Sequence, residues 1–179
     1  MDPRLKAKLN QIKLIVSDVD GILTDGTVFI GDGVELKQFT VEDGAGAAFS
    51  RLAGIPIALI SGRYSKATEI RAKEMKIEHC YQGSLDKLTP FAEICEFYKV
   101  TPNEAAYIGD GLIDIPVMEK VEISVTVPHA HPLVKKVAIH ETKTSGGRGV
   151  LREVVEWILH AQDRHAQVLE DMRKNIYKA

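Results

Sequence analysis

Two carboxylates, Asp18 and Asp20, stand two residues apart at the end of an apolar run that begins at Leu14. In a phosphoryl transfer, one of them can attack phosphorus to form an acyl-phosphate. The other can protonate the leaving oxygen and later activate water. An isolated pair of this spacing is also found as a helix cap or in a solvated turn. The apolar run before the pair and the continuation 23–26 favour the catalytic interpretation, so phosphoryl transfer is our working hypothesis.

Two further groups of polar residues follow strand-like runs. The segment 61–63 comes directly after the run 56–60, and the segment 109–114 comes directly after the run 105–108. In open α/β sheets, ligands bind outside the carboxyl ends of the parallel strands. We therefore expect both segments to meet Asp18 in one crevice.

Short apolar strands alternate with helical stretches along the chain. This predicts an α/β fold, a Rossmann-like doubly wound parallel sheet with helices on both faces. Strands are predicted at residues 14–19, 56–60, 78–81, 105–108 and 123–127, and helices at 44–52, 65–75, 84–98, 112–120, 132–137 and from 150 to about 176. Turn residues at 31–33 between the runs 28–30 and 35–39 predict a small β-hairpin, which is too small for a cap domain. We expect one domain over residues 1–179, with 160–179 as a candidate helical tail.

Local signals predict how some of these helices begin and pack. Ser84 is expected to cap the helix that it begins, and Thr101 with Glu104 is typical of a capping box. Ile70 and Met75 are expected on the buried side of their helix.

The composition is that of an ordinary globular protein, with 45% hydrophobic and 27% charged residues. A formal net charge of −2 argues against a general nucleic-acid binder, which usually carries a basic surplus. No apolar run approaches the roughly 18 residues that cross a bilayer, and the charged segment 1–13 is unlike a signal peptide. Cys80 and Cys95 form no CxxC pair, as is typical of free thiols in a reducing compartment. We therefore expect a cytoplasmic protein without membrane or nucleic-acid partners.

The segment 16–26, which contains Asp18 and Asp20, resembles motif one of the haloacid dehalogenase superfamily. More narrowly, it resembles the small capless phosphatases that act on 3-deoxy-D-manno-octulosonate 8-phosphate in lipopolysaccharide precursor synthesis. The similarity extends from about residue 10 to about residue 160. It implies that Asp18 is the nucleophile and that Asp20 is the acid and base.

Two other residues resemble later motifs of the same family. Ser61 resembles the motif-two hydroxyl, which holds the transferring phosphoryl group. Lys87 resembles the motif-three lysine, which neutralises phosphate charge and steadies the nucleophile. A solvated lysine on a helix is the alternative for Lys87.

The segment around Asp110 and Asp114 resembles motif four of the family, where carboxylates complete an oxygen shell for Mg²⁺. The resemblance implies that Mg²⁺ is bound by Asp18, by the backbone carbonyl of Asp20 and by Asp110. Asp114 would order these ligands or hold the lysine. Gly111 stands where relatives usually have Asp. This departure puts in doubt a hydrogen-bonding contact that would support the metal ligands, but not the metal itself.

The candidate substrate contacts are Gly62, Arg63, Arg71 and Arg148. A guanidinium can form paired hydrogen bonds with either a carboxylate or a phosphate. Phosphatases for nine-carbon keto-deoxy sugar acids tend to carry Glu at the position of Arg63, so this residue favours the eight-carbon substrate. Glu42 stands where relatives often have a basic residue, so the nine-carbon substrate is kept as an alternative.

The resemblance also implies a homotetramer, in which four hairpins form a central barrel and a neighbouring subunit closes the site. The glycine loop 145–149 would bring Arg148 to the active site, partly from that neighbour. The alternatives are a monomer with an open cleft, a flexible loop that only leads into the last helix, and a non-catalytic module of the same fold. His129 and His131 are expected to be structural or solvated, because Mg²⁺ prefers oxygen ligands.

Overall fold

The computed structural model describes residues 1–176, so residues 177–179 of the predicted tail lie outside the described part. The strands are β1 (Leu14–Ser17), β2 (Phe29–Gly31), β3 (Val34–Leu36), β4 (Ile57–Ser61), β5 (His79–Gln82), β6 (Ala105–Ile108), β7 (Ile123–Thr126) and β8 (His140–Glu141). The α-helices are α1 (Pro3–Asn10), α2 (Val41–Leu52), α3 (Lys66–Glu74), α4 (Leu88–Tyr98), α5 (Ile115–Met118), α6 (Pro132–Val137), α7 (Val150–Ala161) and α8 (His165–Ile176). Two short 3₁₀ helices span Pro102–Glu104 and Leu112–Asp114.

Six strands form one parallel sheet in the order β5-β4-β1-β6-β7-β8. β1 lies in the interior of the sheet, where Ile15 pairs with Ile57 of β4 on one side and with Ala106 of β6 on the other. Every residue of β1, β4, β6 and β7 is buried. Continuous apolar burial of this kind is what a parallel sheet covered on both faces requires.

Two groups of helices pack around this sheet. α1, α2 and α8 each contact α7, whereas α5 contacts both α4 and α6. The approach of α2 to α7 depends on Gly46, because a Cβ atom there would lie 2.6 Å from the Cα atom of Arg152. The predicted doubly wound α/β fold is confirmed.

The small insertion between β1 and α2 is the predicted β-hairpin. β2 and β3 are antiparallel, with Phe29 opposite Leu36 and Gly31 opposite Val34. Since strand side chains alternate between faces, Phe29, Val34 and Leu36 lie on one face of the hairpin. They are 59%, 55% and 61% exposed, so the hairpin presents an apolar face that residues 1–176 leave largely uncovered.

Two predicted helix starts differ from those observed. α2 begins at Val41 and not at residue 44, because Thr40 accepts a hydrogen bond from the Glu42 amide at 3.3 Å and caps the helix. α4 begins at Leu88, and the predicted cap Ser84 is wrong. The Asp86 carboxylate instead accepts from the Leu88 amide at 3.0 Å.

The buried side of α3 also differs in part from the prediction. Met75, just after the helix, is buried as predicted, but Ile70 is 53% exposed. The small side chains of Thr68 and Ala72 form the buried side of α3 instead, which brings this helix close to its neighbours.

The predicted single C-terminal helix is wrong, because the chain turns between α7 and α8. Gln162 ends α7, and its side-chain amide donates to the carbonyls of Leu9 at 3.1 Å and Ile12 at 2.9 Å. Asp163 then adopts a left-handed φ of 55°. The turn folds α8 back against α2.

Other local predictions are confirmed. Glu104 accepts from the Thr101 amide at 2.9 Å, which completes the capping box, and Cys80 and Cys95 are free thiols. β8 was not predicted, because a strand of two residues is too short to show an apolar run or an alternating pattern.

Among residues 1–176, no helix combines the length and apolarity needed to cross a bilayer.

Candidate active site

Asp18 lies at the carboxyl end of β1. Its amide donates to the carbonyl of Ile108 in β6 at 2.8 Å, which fixes the backbone where the two strands end. The carboxylate is buried, and its Oδ1 accepts from the Val19 amide at 2.6 Å. The sheet therefore holds this carboxylate in one orientation.

Lys87 provides the positive charge next to Asp18. It stands between β5 and α4, and its side chain is fully buried, with Nζ 2.9 Å from Asp18 Oδ1 and 2.6 Å from Asp114 Oδ1. Burial opposes the charge on this ammonium, but the two carboxylates outweigh burial and raise the pKa of Lys87. The lysine therefore stays charged, and the solvated-lysine alternative is excluded by its burial.

Asp114 uses both of its oxygens inside the protein. Oδ1 accepts from Lys87 and from the Tyr107 hydroxyl at 2.6 Å. Oδ2 accepts from the amides of Asp110 at 3.1 Å and Gly111 at 2.9 Å. With four donors on two oxygens, Asp114 holds the lysine and the loop after β6.

Oxygen atoms of Asp18, Asp110 and Asp114, one from each carboxylate, lie within 4.8 Å of one another. Burial, helped by Asp114, raises the pKa of Asp18 to about 7 although Lys87 opposes the shift. Burial and Asp114 also raise the pKa of Asp110 to about 6. Carboxylates crowded in this way fit a hard divalent cation such as Mg²⁺, which would compensate their charge. Since Asp114 is already fully hydrogen-bonded, Asp18 and Asp110 are the carboxylates suited to hold it.

The glycine loop 145–149 packs directly on the turn that follows Asp18. A Cβ atom on Gly146 would lie 2.0 Å from the carbonyl oxygen of Gly21, and the Gly147 amide donates to Ile22 at 2.9 Å. Arg148 lines a cavity of about 380 Å³ together with Asp20 and Asp110. The loop thus brings Arg148 to the site of its own chain.

Asp43 fixes the helix that follows this loop. Gly149 offers no side chain to cap α7, and the Asp43 carboxylate of α2 accepts from the Leu151 amide at 2.9 Å instead. Burial raises the pKa of Asp43 to about 7, although this hydrogen bond and the nearby Arg71 oppose the shift. A carboxylate distant in sequence therefore caps α7.

Ser61, Gly62 and Arg63 follow β4, as predicted. The buried Ser61 hydroxyl donates to the carbonyl of Arg63 at 2.9 Å, and a Cβ atom on Gly62 would lie 2.7 Å from the Ile113 side chain. The Arg63 guanidinium forms an ion pair with Glu35 of the hairpin. The hairpin therefore reaches the edge of the predicted site.

Arg71 does not lie with the carboxylates of Asp18, Asp110 and Asp114. It donates to the Thr40 carbonyl at 2.8 Å, pairs with Glu74 at 3.1 Å and lines a separate cavity of about 360 Å³. His131 caps α6 by accepting from the Leu133 amide at 3.1 Å. Exposed His129, in contrast, lines the cavity of Arg148.

Two residues of the site were missed by the sequence analysis. Tyr107 lies inside a buried strand, where its hydroxyl marks a position that needs a polar partner. Lys37 follows the hairpin, and its Nζ lies 2.7 Å and 2.9 Å from the two Asp20 oxygens. The sequence carries no local signal for Lys37, because its partner is 17 residues away.

Comparisons with known proteins agree with this geometry. A model of the haloacid dehalogenase-like hydrolase family matches residues 57–154. A 3-deoxy-D-manno-octulosonate 8-phosphate phosphatase of Salmonella typhimurium is 43% identical over 165 residues, which cover 92% of this chain and 88% of the relative. The chain belongs to the haloacid dehalogenase-like hydrolases. Within them, it belongs to the family of these sugar-acid phosphatases.

Solved structures of this family share the whole fold. The phosphatase of Yersinia pestis has a TM-score of 0.89 at 42% identity, covering 92% of this chain and 89% of that one. The phosphatase of Moraxella catarrhalis, in complex with a magnesium ion, a phosphate ion and a KDO molecule, has a TM-score of 0.91 at 35% identity, covering 96% of this chain and 99% of that one. In this parallel sheet, the carboxyl ends of β4, β1 and β6 lie side by side, so the segments that follow these strands meet at one crevice.

The raised pKa of Asp43 predicts a pH-dependent contribution to stability. Between its usual pKa of 3.8 and about 7, the folded chain holds a proton that the unfolded chain has released. This contribution is therefore largest at low pH and is lost as the pH rises through about 7. Asp43→Asn keeps the acceptor for Leu151 but cannot ionise. As the pH rises from 5 to 8, the unfolding free energy of Asp43→Asn should therefore increase by about 1–3 kcal/mol relative to that of wild type.

Urea unfolding in EDTA at the two pH values measures this gain. Asp32→Asn provides a matched control, since it removes a carboxyl group at an exposed position. A constant difference for Asp43→Asn would show that the Asp43 carboxylate is ionised in the folded chain throughout.

Proposed function

We propose that the chain is a Mg²⁺-dependent phosphatase that hydrolyses 3-deoxy-D-manno-octulosonate 8-phosphate to the free sugar acid and inorganic phosphate. The observation that carries the proposal is the buried Lys87 ammonium, which holds Asp18 at the end of β1 beside Asp110. This arrangement supplies a fixed carboxylate nucleophile next to oxygen ligands for a cation. The substrate is the one named for relatives that match 92% of the chain.

Asp18 and Asp20 divide the two half-reactions between them. An oxygen of Asp18 attacks phosphorus while the bond from phosphorus to the sugar oxygen breaks, and Asp20 gives its proton to that oxygen. Asp20 then takes a proton from water as the water oxygen attacks phosphorus. The bond to Asp18 breaks, phosphate leaves, and both carboxyl groups return to their starting protonation states.

The attack requires two negative groups to approach each other. Lys87 supplies one fixed positive charge for this, and Ser61 can turn its hydroxyl from the Arg63 carbonyl to a phosphoryl oxygen. When bound by Asp18, Asp110 and the Asp20 carbonyl, Mg²⁺ would polarise the phosphoryl group and neutralise its charge.

Two departures from the family pattern have local explanations. Glu42 pairs with Arg152 at the start of α7, so the acid at this position has a partner within the chain. Gly111 contributes its backbone amide to Asp114, a bond that needs no side chain. Neither residue is itself a partner of Lys87, whose ion pairs are with Asp18 and Asp114.

A nine-carbon keto-deoxy sugar acid phosphate is the second candidate substrate. It is kept as a candidate because Glu42, which pairs with Arg152, stands where relatives often have a basic residue. Arg63 and Arg148 are the proposed contacts for the sugar acid in either case, with Gly62 allowing close approach. Comparing kcat/KM for the two phosphates in one preparation separates the two substrates.

Phosphate release tests the proposed reaction directly. We expect Mg²⁺-dependent release from 3-deoxy-D-manno-octulosonate 8-phosphate, complete loss in EDTA and recovery when Mg²⁺ is added back. Asp18→Asn should lower kcat by at least about 10³-fold, because the nucleophile is removed. The control is Asp163→Asn, at a carboxylate that is 79% exposed and far from the crevice. Unchanged release by Asp18→Asn would exclude the mechanism, and no release by wild type would favour a non-catalytic module.

We also propose that the chain assembles as a homotetramer in which a neighbouring subunit closes the crevice. The support is the apolar hairpin face of Phe29, Val34 and Leu36, together with the Glu35–Arg63 ion pair that ties the hairpin to the site. An exposed apolar face of this kind is typical of an interface. We further propose one catalytic unit over residues 1–179, acting in lipopolysaccharide precursor synthesis in the cytoplasm, whose reducing conditions suit two free thiols.

A charge on the hairpin face should disrupt this assembly. We expect Leu36→Lys to convert the tetramer to smaller species in light scattering, because burying the new charge at the interface is costly. Leu133→Lys is the control, since Leu133 of α6 is similarly apolar and 48% exposed but lies away from the hairpin. A tetramer that survives Leu36→Lys would place the interface elsewhere.

A further inference from the structure

Lys37 is a buried lysine that the reaction described above does not use. It is the first residue after β3, where the hairpin returns to the body of the protein. Its side chain is fully buried, with Nζ 2.7 Å from Asp20 Oδ1 and 2.9 Å from Asp20 Oδ2. Nζ donates one hydrogen bond to Asp20 Oδ2 and a second, longer one to the hydroxyl of Thr68 in α3 at 3.4 Å.

This burial fixes the lysine where it is. An ammonium removed from water is costly unless a carboxylate and hydrogen-bond acceptors compensate it. Asp20 is the carboxylate in contact with Lys37, since nearby Glu35 is engaged by Arg63. The ion pair therefore restrains Asp20 as much as it stabilises Lys37.

Asp20 stands between Lys37 and the reaction cavity. Its side chain is 27% exposed, and it lines the cavity that also contains Asp110 and Arg148. Because the ammonium contacts both carboxylate oxygens at similar distances, one contact can persist while the other oxygen faces the cavity. Lys37 thus limits the rotation of the Asp20 carboxylate. It keeps one carboxylate oxygen directed toward the part of the cavity where the leaving oxygen of the substrate would lie.

The two buried lysines of the site have separate partners. Lys87, before α4, contacts Asp18 and Asp114, whereas Lys37, after the hairpin, contacts Asp20. We propose that Lys37 is the positioning residue of Asp20 and holds this carboxylate where its proton reaches the leaving oxygen. The proposal rests on the proposed function, in which Asp20 is the acid. Through Lys37, the β2–β3 hairpin would therefore take part in the proposed reaction.

The nature of the leaving group tests this role. An alkoxide such as that of a sugar phosphate needs a proton as it leaves, whereas the nitrophenolate of p-nitrophenyl phosphate leaves readily without one. Lys37→Met should lower kcat for the sugar-acid phosphate by about 100-fold, as expected for a misplaced catalytic group. Its KM should stay near the wild-type value, and turnover of p-nitrophenyl phosphate should fall far less. Lys37→Arg should recover part of the loss, since it restores a cation.

A double-mutant cycle shows whether Lys37 acts through Asp20. In an Asp20→Asn background, Lys37→Met should have little further effect on kcat, because the group that it positions is gone. The control is Lys66→Met, which removes an exposed lysine paired with Glu69 and should leave both substrates unaffected. If Lys37→Met does not fold by circular dichroism, Lys37→Gln, which keeps a hydrogen-bond donor, provides the same comparison.

Three results would overturn the positioning role. They are equal losses on both phosphate esters, a loss confined to KM, and independent effects of the Lys37 and Asp20 substitutions. Wild-type protein that releases phosphate from neither ester contradicts the proposed function instead, so the two failures are distinguishable.

Discussion

The buried ion pairs of Lys87 are the interaction on which the rest of the site depends. A single ammonium compensates Asp18 and Asp114, and Asp114 in turn binds Tyr107 and the backbone after β6. Buried charges of this kind are stable only when each has its partner, and removing one partner typically costs about 3–5 kcal/mol. The lysine therefore joins the ends of β1 and β6 to the start of α4, and chemistry and local structure share the same contacts.

Close backbone contacts complete the crevice that this ion pair organises. Gly146 lets the glycine loop touch the turn after Asp18, and Gly46 lets α2 approach α7. Asp43 then caps α7 from α2, so the loop is anchored at both ends. The hairpin adds two further ion pairs, from Lys37 to Asp20 and from Glu35 to Arg63. An element that lies outside the sheet is thereby connected to Asp20, the proposed acid and base.

Much of this arrangement could be predicted from the sequence, because the determining signals are local. The apolar strands and their polar ends predict the sheet and the convergence of Asp18, Ser61 and Asp110. The parts that could not be predicted depend on partners distant in the chain. The break before α8 is fixed by Gln162 binding carbonyls near residue 10, and Lys37 meets a carboxylate across the hairpin. Such contacts leave no periodic pattern, so only the three-dimensional structure reveals them.

The proposed mechanism requires that Asp18 carries the phosphoryl group between the two half-reactions. Rapid mixing with 3-deoxy-D-manno-octulosonate 8-phosphate and Mg²⁺, followed by borohydride reduction and peptide mass spectrometry, tests it directly, since an aspartyl-phosphate is reduced to homoserine. This mechanism predicts homoserine at position 18 and unmodified aspartate at position 20. Sustained phosphate release with homoserine at neither position, or at position 20 alone, would contradict it.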